Sequence, residues 1–97
     1  MSAEGEYEII NSAQVGEDFR VLSDGARSKG VLRLFLSAAK YILGELGSSP
    51  SEFGESRDHF PAAGFSTRCG FARPLMVDYA VNEREKVVYI RRFTWLK

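Results

Sequence analysis

The amino-acid sequence predicts an α+β fold in which helices pack on one face of a mostly antiparallel sheet. Two observations carry this. Apolar residues recur at helical spacing up to about residue 47, then alternate with period two. The breaks between these stretches divide the chain into a strand, two helices and three further strands. At 97 residues the chain fits one domain over 1-97 around a single core.

Taken in order, Tyr7-Glu8-Ile9-Ile10 reads as a short strand, and Asn11-Ser12 are good helix N-cap residues. Val15, Phe19 and Leu22 then share one face of a first helix, which Ser23-Asp24-Gly25 is expected to end. From Ala26 to Leu46 an apolar stripe of Val31, Leu32, Phe35, Ala39, Ile42, Leu43 and Leu46 marks the second helix, closing the hairpin. Gly47 stands at its C-cap, and Pro50 forbids continuation. The Ser/Gly/Pro-rich stretch from Gly47 to Gly54 leads into a loop. A three-stranded antiparallel meander follows, with Ser66 to Ala72 as its first strand. Pro74 precedes Leu75 to Val81, in which Leu75, Val77, Tyr79 and Val81 share a face. Asn82-Glu83-Arg84-Glu85 turns the chain into the long strand Val87 to Leu96. Burial is expected to centre on Val31, Leu32, Phe35, Ile42, Leu43, Val77, Tyr79, Val88 and Ile90.

Composition narrows the function. Thirteen Lys+Arg balance thirteen Asp+Glu, so no strongly basic surface is advertised overall. The charges are nevertheless graded. Residues 1-18 carry five acids and no Lys or Arg, whereas residues 57-97 carry eight bases against four acids. The basic end is where an anion would bind. The N-terminus has no secretory pattern, and the most apolar stretch, Leu32 to Leu46, is too short to span a bilayer. A cytoplasmic protein without membrane contact is expected. Cys69 and His59 are the single cysteine and histidine, so no internal disulfide or His/Cys metal cluster can form, and no metal or cofactor is expected.

The opening Tyr7-Glu8-Ile9-Ile10, the helical hairpin and the later blocks together resemble the RelE/ParE toxin superfamily of bacterial toxin-antitoxin pairs. The later blocks are Gly54-Glu55-Ser56-Arg57, Thr67-Arg68-Cys69-Gly70, Arg73-Pro74 through Val81, and Val87-Val88-Tyr89-Ile90-Arg91-Arg92-Phe93. Order and spacing, over nearly the whole chain, carry the likeness. It implies an antitoxin partner laid across the sheet and one of two activities. The first is messenger-RNA cleavage, usually on the ribosome, by attack of a ribose 2′-hydroxyl on the adjacent phosphate. The second is non-enzymatic binding, as in gyrase inhibitors, inactive relatives or self-associating modules. The positions matching the family's phosphate-binding groups are Arg68, Arg73 and Arg92, with Arg91 and His59 as further candidates. The chain departs from active nucleases in its ending, Phe93-Thr94-Trp95-Leu96-Lys97, which carries no histidine. Strict alternation places Arg91 and Arg92 on opposite faces, with Phe93 and Trp95 beside Arg91, and leaves one of the two arginines to pair with Asp78 or Glu83 across the hairpin. Phe53, Phe60, Phe65 and Phe71 read as an apolar lid or a self-association surface.

Overall fold

A computed structural model describes residues 6-60 and 64-96, with the side chains of residues 58-60 left out of the description. The elements run β1 (Glu8–Asn11), α1 (Ala13–Ser28), α2 (Leu32–Ser48), α3 (Pro50–Phe53), β2 (Glu55–Phe60), β3 (Phe65–Ala72), β4 (Leu75–Asn82) and β5 (Val87–Trp95). The strands form one five-stranded sheet in the order β1-β5-β4-β3-β2. The last four strands form an antiparallel meander, and β1 joins its edge parallel to β5. This is the expected α+β arrangement, with one strand more in the meander. Residues 55-60, expected as loop, pair with β3; they are too polar to show an alternating apolar face.

Ser12 caps α1 as expected, its hydroxyl accepting from the Val15 N–H at 3.2 Å. The break between helices lies later than Ser23-Asp24-Gly25. Arg20 bonds Glu17 and Asp24, and Arg27 bonds Asp24, so a ladder of i,i+3 and i,i+4 pairs lies along the helix across this segment. The real stop is Gly30, at φ +76°. The Val31 N–H reaches the Ala26 carbonyl at 2.9 Å, and the Gly30 N–H reaches Arg27 at 3.1 Å. That pair of bonds is a Schellman close, which needs the left-handed residue that glycine supplies most cheaply. At the far end α2 runs one residue past Gly47, whose carbonyl accepts the Tyr7 N–H at 2.8 Å and ties the lead into β1 to the helix end.

The core fills the space between α1, α2 and the inner face of the sheet. Phe35, Ile42 and Leu46 of α2 meet Leu75, Val77, Tyr79 and Val81 of β4 and Val88 of β5, all fully buried. An aromatic chain extends it. Phe19 lies 5.1 Å from Phe35 and 5.2 Å from Phe93 between ring centres, and Phe35 stacks on Trp95 at 6.1 Å. Leu43 departs from the expected stripe. It is 41% exposed at the rim of a small apolar hollow, while Ala38 and Ala39 let α2 approach the sheet. Val31 and Leu32 are only partly buried.

Tyr79 anchors the other end of the sheet. Its phenol is buried and donates to the Pro50 carbonyl at 2.6 Å, holding α3 down. Gly54 follows directly, and there is no room there for a side chain: a Cβ would lie 2.6 Å from the Tyr79 oxygen and 2.9 Å from the Cys69 carbonyl.

Two measurements check this packing. In urea denaturation, Ile42→Ala is expected to cost about 2–5 kcal/mol, as large-to-small core changes do, and Leu43→Ala under about 1 kcal/mol; equal losses would contradict the core assignment. Burial pushes the Tyr79 phenol up to about 12 from its ordinary 10.0. The unfolded chain ionises first, so this contribution is complete below pH 10 and is lost as pH rises toward 12. Tyr79→Phe should flatten that alkaline loss while lowering stability at neutral pH; an unchanged alkaline profile would exclude Tyr79 as its source.

Candidate functional site

The helices cover one face of the sheet, and the other face holds the charged groups. On β4 the outward residues alternate with Leu75, Val77, Tyr79 and Val81, so Met76, Asp78 and Ala80 face away from the helices. Register then assigns their neighbours. Cys69 and Arg92 flank Asp78, Thr67 and Tyr89 flank Ala80, and Phe71 and Thr94 flank Met76.

Strict alternation fails on β5, with a chemical consequence. The ladder pairs Asp78 with Arg92 and Tyr79 with Ile90, leaving Arg91 as the extra residue of a β-bulge. Ile90 and Phe93 are both buried, while Arg91 and Arg92 are both exposed. The expectation that the two arginines take opposite faces is therefore corrected, because the bulge turns the pleat by one residue. Phe93 and Trp95 are corrected with it. They pack against Phe19 and Phe35 on the helix side, away from Arg91.

A second bulge, between Ser56 and Asp58 of β2, sets Arg57 out of step in the same way. Arg57 lies close enough to Cys69 to act on its thiol, which places it on the open face. The result is a cleft of about 510 Å³ with Arg57, Arg91 and Arg92 around Asp78, and with Thr67, Arg68, Met76 and Thr94 completing its walls. The Arg92 Nε stands 3.9 Å from the Asp78 Oδ2, and the side chains are 70% and 22% exposed, so the pair is loose and water reaches it from the arginine side. Among the described residues, four arginines and the Asp78 carboxylate line the cleft, which leaves it positive in a chain of zero net charge. Its chemistry is that of an anion site with a carboxylate, Asp78, built into it.

The other sequence candidates separate from this cluster. Arg68 borders the cleft, yet it pairs with Tyr79 and turns its guanidinium to the helix side, where Nη1 donates to the Gly54 carbonyl at 2.7 Å. It braces the connection from α3 to β2. Arg73 is exposed in the β3–β4 turn and is not among the residues lining the cleft. His59 lies on β2 opposite Ser66, and its side chain is outside the described residues, as are the side chain of Phe60 and all of Lys97. Phe53 is no lid. It packs on Tyr41 and stacks over Tyr79. Arg57, absent from the sequence candidates, belongs to the polar edge strand that apolar patterning misses.

Cys69, opposite Asp78 in the ladder, is buried at 3% exposure. Burial pushes its thiol up, Arg57 pulls the other way, and the Asp78 carboxylate adds to the upward push. It is thus held as a neutral thiol, a poor nucleophile at neutral pH. A thiol-reactive disulfide reagent at pH 8 should label the folded protein far more slowly than the urea-unfolded chain. Similar rates would contradict the burial. Among the described residues no helix is long and apolar enough to cross a membrane.

No family model and no curated protein matches the chain. Among solved structures it is similar to the solution structure of conserved hypothetical protein HP0892 from Helicobacter pylori, at 15% identity over 92% of this chain and 93% of that one, with a TM-score of 0.45.

Proposed function

We propose that the open face binds an RNA phosphodiester and that the chain is a toxin-type endoribonuclease of the RelE/ParE kind. One observation carries this reading: two β-bulges bring Arg57, Arg91 and Arg92 into one cleft around the Asp78 carboxylate. The resemblance of the ordered sequence blocks to that superfamily supports it. In the proposed reaction Asp78 accepts the proton of a ribose 2′-hydroxyl as its oxygen bonds to the adjacent phosphorus. The bond from phosphorus to the 5′-oxygen breaks, leaving a 2′,3′-cyclic phosphate, and solvent in the open cleft protonates the departing oxygen. The guanidiniums stabilise the extra negative charge of the phosphorane, which is greatest in the transition state.

A specific observation favours a second reading, a non-enzymatic binding module. Leu34, Leu36, Tyr41 and Leu43 of α2 are all exposed large apolar residues, an unusual concentration for one helix. An antitoxin or another copy of the chain would cover them.

Expression in a bacterial host with primer-extension mapping of messenger-RNA ends distinguishes the two. Wild type is expected to create new ends. Arg91→Ala with Arg92→Ala should reduce them by about 100-fold or more, as should Asp78→Asn, whereas Arg73→Ala should leave them unchanged. New ends that persist in the double arginine variant would refute the site. No new ends with any variant, under confirmed expression, would retire the nuclease in favour of the binding module.

A further inference from the structure

Next to the arginine cleft the same face carries an aromatic pair that the phosphate chemistry does not use. Phe65 of β3 and Tyr89 of β5 lie 5.9 Å apart between ring centres, tilted by 53°. They meet across β4 at Ala80, which faces outward yet is only 9% exposed, so the two rings form a continuous apolar surface over it. The surface is open to solvent, with Tyr89 37% exposed. Both rings lie opposite the helices and outside the buried core cluster.

Position gives the pair its meaning. Tyr89 precedes Arg91 by two residues, about 7 Å along a strand, roughly the backbone length of one nucleotide in an extended single strand. A polyanion whose phosphate sits between Arg91 and Arg92 therefore carries its neighbouring base over the Tyr89 and Phe65 rings. Guanidiniums alternating with open aromatic rings are what an unpaired strand needs, since every base has a face to stack and every linkage a charge to neutralise. A duplex keeps its base faces covered, and an acidic peptide has no ring to place there.

We infer that Phe65 and Tyr89 form a base-stacking platform for the nucleotide next to the phosphate held by Arg91 and Arg92, making this face selective for single-stranded RNA. The inference rests on the reading of the cleft as an RNA-phosphate site and adds the element that selects unpaired bases.

The test is fluorescence anisotropy with the full chain and labelled 2′-O-methyl RNA, which cannot be cleaved. Its counterparts are the same strand with abasic positions, a duplex of the same length, and a polyglutamate peptide. Tyr89→Ala should weaken binding of the base-bearing single strand roughly 5- to 150-fold, the range for loss of one stacked base. Affinity for the abasic strand and the slope of affinity against salt should stay at wild-type values. Arg91→Ala should weaken both strands and reduce the salt slope by about 0.7. Tyr89→Phe should bind as wild type, and Tyr89→Leu, which keeps Ala80 covered without an aromatic face, should behave like Tyr89→Ala. The platform is overturned if Tyr89→Ala and Tyr89→Leu bind like wild type while Arg91→Ala does not; the arginine cleft then stands alone. Equal affinity for duplex and single strand also overturns it. Binding of polyglutamate but of no RNA overturns the RNA reading itself.

Discussion

Ile90 and Phe93 must both point into the core, and they are three residues apart. On a regular strand an odd spacing puts two side chains on opposite faces. Leaving Phe93 in water would forfeit about 1.5–3 kcal/mol of burial and break the aromatic chain through Phe19 and Phe35. The strand resolves the conflict with a bulge against Tyr79 and Asp78, which restores the inward face for Phe93 and Trp95. Arg91 and Arg92 are then both carried to the opposite side, where their charges stay hydrated. The charged site is thus a consequence of core packing. Hydrophobic demand on one face sets the spacing of guanidiniums on the other.

The far end of the sheet is held by polar groups that have left water. Tyr79 closes on Pro50 and Arg68 on Gly54, so two side chains of the inner face take carbonyls at the start of α3 and just before the polar edge strand. The tight approach at Gly54 brings β2 close against β3. β2 has little apolar surface with which to hold itself in place, and these bonds position it. Arg57 reaches the cleft from that strand. One arginine therefore braces the strand that presents another, so Arg57 takes the place around Asp78 that the family resemblance assigned to Arg68.

Net charge is a poor guide to the field at this face. Most acids of the chain lie near the N-terminus, along α1 and at the β4–β5 turn, and among the described residues Asp78 is the acid that lines the cleft. Its pairing with Arg92 is long and open to water from the arginine side, so it tempers the positive potential without cancelling it. Beside it the Cys69 thiol stays uncharged because burial disfavours the thiolate. The cleft therefore combines fixed cations with the Asp78 carboxylate, and a neutral thiol lies next to that carboxylate in the ladder.

Much of the fold was legible in the chain itself. Period-two alternation from Leu75 to Val81 placed four fully buried side chains correctly, and the 3.6-residue stripe identified Phe35, Ile42 and Leu46. Local pattern is enough there because a helix or strand with one apolar stripe has one way to bury it. The helix break was misplaced because Ser23-Asp24-Gly25 has turn-like composition, and only the ladder of side-chain bonds and the Schellman close at Gly30 decide between two glycines. The bulge on β5 is written in the spacing of Val88, Ile90, Phe93 and Trp95, whose period slips once from two to three. What only the tertiary structure decided is the company each arginine keeps. Arg57, Arg91 and Arg92 gather around Asp78, Arg68 borders the same cleft while bonding Gly54, and Arg73 lies outside it, because this depends on strand order, register and two bulges set by packing partners tens of residues away in the chain.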